Sequence, residues 1–237
     1  MIIIKNIVIK IGGSLLFSED LEINIQQIIK FCDIIKANQY YNKVIIVCGG
    51  GKIARKYISA IRYVHSNETS NDIMGIKISR INARLLMEVI GESAFPIVPK
   101  QFEELAQALL FDKIIIMGGL QPGQSTTSVA LEVAEFINAD QVVILTNVTG
   151  IYNKDPNKFD DAKLIKNLTL DELQNLIINN SNEKQAAAGE YRIFDAVSLQ
   201  IMKRSKIKVY VVSGTNLDDF MKILDGNSDF NGTLISN

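Results

Sequence analysis

The chain has no tryptophan, one histidine, two cysteines and four prolines in 237 residues, and charge of neither sign prevails. Each scarcity excludes something. With 25 basic and 26 acidic residues and a formal charge of −1, there is no global basic field, and nucleic-acid binding has no electrostatic footprint. The lone histidine, His65, cannot build a His/Cys metal cluster. A Ser-His-Asp hydrolase would have to use it, and no nucleophile elbow stands nearby. Cys32 and Cys48 sit inside apolar patterns without metal-ligand spacing, so they read as small buried hydrophobes in a reducing cytosol. The opening MIIIKNIVIK is too short and too interrupted by lysine for a signal or a membrane span. It reads as the first strand of a buried sheet. A cytoplasmic protein with no membrane or nucleic-acid partner is expected.

What the chain does have is three runs of β-branched residues that stop at glycines and give way to a helical pattern. They are Ile7–Ser14, Val44–Gly51 and Ile114–Gly119. Strand–helix alternation continues to the end, which predicts a three-layer αβα sandwich with a mainly parallel central sheet. Strands are expected near residues 7–11, 44–47, 94–99, 114–117, 142–145, 164–168 and 209–212. Helices are expected over 23–36, 53–64, 76–90, 102–110, 129–137, 170–178, 194–204 and 217–224. Residues 66–72 are polar, 179–185 read as a polar loop, and Thr169 with Glu172 reads as a capping box. No repeat, linker or low-complexity tract appears, so residues 1–237 read as a single domain whose two halves, before and after Val142, share one sheet.

Glycine turns at the same sheet edge present backbone N–H groups and helix N-termini, which attract anions. Lys10 lies just before Gly12-Gly13-Ser14. It is either an edge-strand lysine pointing to solvent or an ammonium placed to neutralise a phosphoryl group. Gly49-Gly50-Gly51 is followed by Lys52 and by Arg55, one helical turn on, where a guanidinium can fold back onto a phosphate. Neither a P-loop nor a dinucleotide fingerprint is present. The loop 118–127 combines glycines, Pro122 and the hydroxyls of Ser125, Thr126 and Thr127 ahead of a helix; Ser125 or Thr126 also suits an N-cap. Thr146, Asn147, Tyr152 and Asp155 follow a strand end, where open α/β sheets bind ligands. Tyr152 offers a stacking face, and Asp155 or Asn147 a ribose contact. Asp72 and Asp195 stand beside helix starts, where Asp72 serves equally well as a cap.

In order and spacing, residues 49–57, the loop 118–127, and residues 146–152 with Asp155-Pro156 resemble the amino acid kinase superfamily. The match is closest to its uridylate (UMP) kinases of archaeal type and runs from Ile7 to Thr233. The resemblance implies transfer of the γ-phosphoryl group of ATP to UMP, with Mg²⁺ carried in by ATP and no metal ligand assigned to the protein. It implies Gly13, Ser14, Gly51 and Arg55 on ATP phosphates, and Thr146, Asn147, Tyr152 and Asp155 on the ATP nucleoside. Gly50, Asp72, Leu120, Gln121, Pro122, Gly123, Gln124, Ser125 and Thr126 would hold UMP, with Asp72 on its ribose. Lys10, Arg55 and Asp195 would be catalytic, Asp195 organising the lysine and the metal. Residues 1–141 would serve mainly UMP binding and assembly, residues 142–237 mainly ATP. A homohexamer, a trimer of dimers, is implied as well. One departure stands out: many members carry an aspartate shortly after the Thr-Thr, where this chain has Ser128.

Two alternatives remain. A sister kinase would phosphorylate another small acceptor, such as isopentenyl phosphate, carbamate or an N-acyl amino acid. Against the first of these, no histidine stands near the second glycine turn, and an apolar acceptor does not explain Asp72. A non-catalytic nucleotide-binding or metal-oxyanion storage protein could use the same scaffold, although Lys10 and Arg55 argue for turnover.

Overall fold

Runs of isoleucine and valine with almost no exposed position form the centre of the sheet, as expected of strands covered on both faces. They are β1 (Lys5–Ile11), β2 (Tyr41–Cys48) and β4 (Gln141–Thr146). The computed structural model describes residues 5–64, 67–154, 156, 159–180 and 193–236. Its other strands are β3 (Ile115–Met117), β5 (Asn167–Leu168), β6 (Lys208–Ser213) and β7 (Gly232–Ile235). The order is β3-β2-β1-β4-β6-β7-β5. Every pairing is parallel except β6 with β7.

Period-two alternation sends the strands' side chains to two apolar layers. Ile7, Ile9 and Ile11 pack with α1 (Ile25–Ala37), α3 (Glu68–Ile90) and α8 (Asp218–Leu224). Val8, Val47 and Ile144 pack with α4 (Phe102–Ala108), α5 (Thr126–Phe136), α6 (Leu170–Asn180) and α7 (Ala196–Ser205). Helix α2 (Gly51–Val64) lies against α3. The expected three-layer sandwich is therefore the observed one, and a single sheet spans both halves.

The structure corrects several local expectations. The helix expected from residue 76 begins earlier, in the polar stretch: α3 starts at Glu68, because the Asn67 side chain accepts from Ser70 N at 2.9 Å and caps it. Residues 94–99 do not form a strand. Pro96 and Pro99 have no N–H to give to a ladder, and only a bridge from Ala94 to Ile114 forms. The strand expected over 164–168 shrinks to β5, Leu164 bridging to Tyr152 instead. Helix α5 starts three residues early, at Thr126. Strand β7 was not anticipated. It is short, antiparallel to β6 and parallel to β5, and its Gly-Thr start lacks the Ile/Val run of its neighbours. The Thr169–Glu172 capping box is present, with Glu172 N donating to Thr169 Oγ1 at 3.3 Å and Thr169 N to Glu172 Oε2 at 2.8 Å. Of the loop expected over 179–185, residues 179 and 180 are helical; residues 181–185 lie outside the described residues, as does His65. Both cysteines are free and buried.

Candidate active site

The carboxyl ends of β1, β2, β3 and β4 open into one cleft lined by all three glycine turns. Two of the turns interlock. Gly51 has φ +66°, and a Cβ there would lie 2.3 Å from the backbone carbon of Gly13; a Cβ on Gly13 would lie 2.2 Å from Gly49 O. Only glycine at both positions lets the turns pass this close. Helix α2 starts at Gly51 and α5 at Thr126, so two helix N-termini face the same space.

Lys10 is the one part-buried position late in the otherwise buried β1. β1 is flanked by β2 and β4, so the edge-strand reading is excluded. Burial first, and the neighbouring Arg55 second, depress its ammonium to a pKa of about 8. Arg55 donates from Nη2 to Ser14 Oγ at 3.1 Å. Neither cation has a carboxylate partner among the described residues. Lys52, by contrast, pairs with Glu19 at 2.7 Å and is not available to the turn.

The loop after β3 is held from α3. Asp72 Oδ2 accepts from Gly123 N at 2.9 Å. Asp72 sits inside α3, whose cap is Asn67, so it is not a cap. Arg80 donates to the carbonyls of Gly119 (3.0 Å), Leu120 (3.1 Å) and Lys100 (3.3 Å). Ser79 Oγ accepts from Gly119 N at 2.8 Å, and Asn82 Nδ2 donates to Gly49 O at 2.8 Å. Ser125 caps α5, its hydroxyl accepting from Ser128 N at 3.1 Å.

Of the residues expected at the site, Lys10, Gly13, Ser14, Gly50, Gly51, Arg55, Asp72, Gln124, Ser125, Thr126, Thr146 and Asn147 all line the cleft. Leu120, Gln121, Pro122 and Gly123 do not. Leu120 packs into the α4–α5 apolar layer, and residues 121–123 are exposed where the Asp72 tie turns the loop outward. Tyr152 is also off the cleft lining, drawn by its bridge to Leu164. Asp155 lies outside the described residues. Asp195 does not reach Lys10. Its carboxylate is occupied as the cap of α7 by Ser198, and by Ser128 Oγ (2.5 Å) and Ser125 N (3.0 Å). Burial alone would raise its pKa; these hydrogen bonds overcome that and hold it below the usual carboxylate range.

Sequence reading missed Ser79 and Asn82, which are buried polar groups. The signal was the stripe Asn71, Gly75, Ser79, Asn82, small or polar at helical spacing on the face α3 turns inward. Among the described residues, no group of three or more His, Cys, Asp or Glu could cage a metal. A dication held mainly by phosphate oxygens and water needs at most one or two carboxylates, so the donor set fits a metal that arrives with a nucleotide.

Such a site, on such a sheet, defines a phosphoryl-transfer scaffold. The chain belongs to the amino acid kinase family, whose profile matches residues 5–213. A uridylate kinase of Methanobrevibacter smithii is 38% identical over 220 residues, covering 93% of this chain and 95% of that one. One from Sulfolobus acidocaldarius is 42% identical over 194 residues, covering 82% and 84%. The crystal structure of uridylate kinase from Archaeoglobus fulgidus superposes with a TM-score of 0.82 at 34% identity, covering 98% of this chain and 100% of that one.

Proposed function

We propose that this chain is a UMP kinase, transferring the γ-phosphoryl group of ATP to UMP to give UDP and ADP. The carrying observation is the pair Lys10 and Arg55, two adjacent cations without a carboxylate partner among the described residues, in a cleft edged by glycine turns and two helix starts. Unpaired charges in a partly enclosed site are costly unless an anion completes them. The likeness to archaeal uridylate kinases supports UMP as the acceptor.

Transfer is direct and in line, without a covalent intermediate, because positioning and charge neutralisation suffice. Backbone N–H groups of Gly13 and Gly51 and the Arg55 guanidinium, oriented by Ser14, hold the donor phosphates. The Lys10 ammonium meets the transferring group. Its pKa of about 8 lies above neutral pH, so the charged form predominates. Thr146 and Asn147 lie toward the ATP nucleoside, where the family resemblance would add Asp155. Gly50, Asp72, Gln124, Ser125 and Thr126 hold UMP, Asp72 on the ribose. A divalent cation bound with ATP, which we take to be Mg²⁺, supplies further charge neutralisation on the phosphates. The 1–141 half serves UMP and assembly, and the 142–237 half serves ATP. We further infer a cytoplasmic homohexamer built as a trimer of dimers. Exposed Ile73 and Ile81 on the outer face of α3 support contact between copies, and no helix among the described residues is long and apolar enough to cross a membrane.

A coupled ADP-release assay with ATP and Mg²⁺ tests the reading, offering UMP, CMP, AMP, GMP, isopentenyl phosphate and acetylglutamate. Turnover confined to UMP is expected. Turnover on another acceptor instead would discard Asp72 as a uridylate ligand, and silence on all with ATP still bound would point to storage or regulation.

A further inference from the structure

Two helices that belong to different parts of the chain meet at one carboxylate. Helix α7 is capped by Asp195, which accepts from Ser198 N at 2.7 Å, while Asp195 N donates back to Ser198 Oγ at 2.7 Å. The same carboxylate accepts from Ser125 N, the cap residue of α5, at 3.0 Å, and from Ser128 Oγ at 2.5 Å. Ser128 is completely buried. It does not line the cleft, yet the three residues just before it, Ser125, Thr126 and Thr127, do. Thr126 Oγ1 in turn lies close enough to Gly49 that a Cβ there would be 3.4 Å away. The position of this turn therefore sets how the α5 N-terminus meets the second glycine turn.

We propose that Ser128 is a positioning residue: by donating its hydroxyl to Asp195, it fixes the first turn of α5 against the cleft and so sets the geometry of the acceptor's anion site. The serine leaves one part-buried carboxylate, Asp195, between the two helix starts, satisfied by donors on both; the nearby Glu132 of α5 accepts from Gln124 instead. A second carboxylate at 128 would face Asp195 directly, and the like charges would repel. Asp195 accordingly acts through the α5 turn rather than on Lys10, which it does not touch. The kinetic part of this proposal rests on the UMP kinase reading; the structural part does not.

The experiment compares the wild type with Ser128→Ala, Ser128→Thr and Ser128→Asp in steady-state kinetics, titrating UMP and ATP separately. Amide hydrogen exchange is followed across residues 126–129. Alanine should raise KM for UMP about tenfold, the loss of one hydrogen bond to a charged acceptor, and leave KM for ATP within about twofold. Threonine, which keeps the hydroxyl, should restore most of it. Aspartate should lose more at pH 8 than at pH 6, where one carboxyl of the pair can take up a proton. Exchange in the α5 turn should quicken in the alanine variant while the rest of the sheet is unchanged. Equal effects on both substrates, no gain with threonine over alanine, or unchanged exchange would each overturn the proposal. If the wild type does not turn over UMP, the functional reading falls and hydrogen exchange alone decides the tether. Should the alanine variant not fold, Ser128→Cys, close in size but a weak donor, takes its place in both measurements.

Discussion

The two walls of the cleft are built by different means. On the α3 side, four side chains of one helix reach out to loop backbone: Asp72 to Gly123, Ser79 to Gly119, Arg80 to Gly119 and Leu120, and Asn82 to Gly49. On the β4 side, the segment after Thr146 is held by main-chain pairing of Ile151 with Ile165 and of Asn153 with Lys163. A threonine from β7 adds to this, Thr233 Oγ1 accepting from Ile151 N at 2.8 Å and donating to Ile165 O at 2.6 Å. A rigid helix can hold several loops in mutual register. A strand edge passes position on from one loop to the next. The comparison teaches that one wall takes its geometry from a single element and the other from a relay; in the proposed assignment these are the acceptor and donor walls.

The largest effect belongs to the residue between the walls. Lys10→Met should cut kcat by about a thousandfold, the scale of removing a charged group that stabilises the transferring phosphoryl. The same change should make the ligand-free protein more stable. Lys10 has a folded pKa of about 8 against 10.5 for a fully solvated lysine. The unfolded chain therefore binds more protons between those values, and wild-type stability should rise with pH from about 8 to 10.5. Below pH 8 the charged lysine is a standing cost, which methionine removes. Thermal unfolding at pH 7 and pH 10 checks the sign: a variant no more stable than wild type at pH 7 would mean that the ammonium finds a compensating partner. The kcat/KM profile of the wild type should fall above pH 8 as well.

Next come the two wall fastenings, which separate helix from relay. Asn82→Leu strands the buried Gly49 carbonyl, and should cost about 2 kcal/mol of stability and raise KM for UMP. Thr233→Val strands Ile151 N and Ile165 O, with a stability loss of about 1–3 kcal/mol, and should raise KM for ATP while sparing that for UMP. If both variants shift both constants alike, the walls are one mechanical unit and the comparison fails. Asp72→Asn should do less. It keeps an oxygen for Gly123 N but loses the charge, which should raise KM for UMP about tenfold or less with kcat nearly intact.

The sheet centre was legible in the sequence because buried parallel strands write unbroken Ile/Val runs, and the glycine turns because each interrupts such a run. Lys10 and Arg55 were legible for the same reason, as cations placed against glycines. What escaped was what depends on the other side of the fold. The α3 stripe of Asn71, Gly75, Ser79 and Asn82 shows its spacing in one dimension, yet nothing local says which loops its amides and hydroxyls reach. The same limit applies to Asp195. Its position beside a helix start was plain, but that its oxygens are taken by Ser125 and Ser128, about seventy residues earlier, is a fact of helix packing. Strand β7 went unseen because its four residues, Gly232–Ile235, open on Gly-Thr and carry only two aliphatic side chains, too few to write a run.

The smallest effect is the most useful control on the claim that α3 works through its inner face. Arg84 pairs with Glu88 one turn along, both side chains about 60% exposed. An exposed i, i+4 pair contributes only about 0.3–0.5 kcal/mol. Arg84→Ala on the isolated chain should therefore change stability by less than about 0.5 kcal/mol and leave both Michaelis constants alone, although Asn82 stands only two residues away. That contrast would show that direction on the helix, and not the helix itself, carries the effect. Ile81, 63% exposed, is on α3 close to this pair, and the assembly proposed above would cover this outer face. If Arg84→Ala instead lowers stability in a way that depends on protein concentration, the outer face is buried between copies. The acceptor wall would then be held from both sides of α3, and the helix would couple assembly to UMP binding.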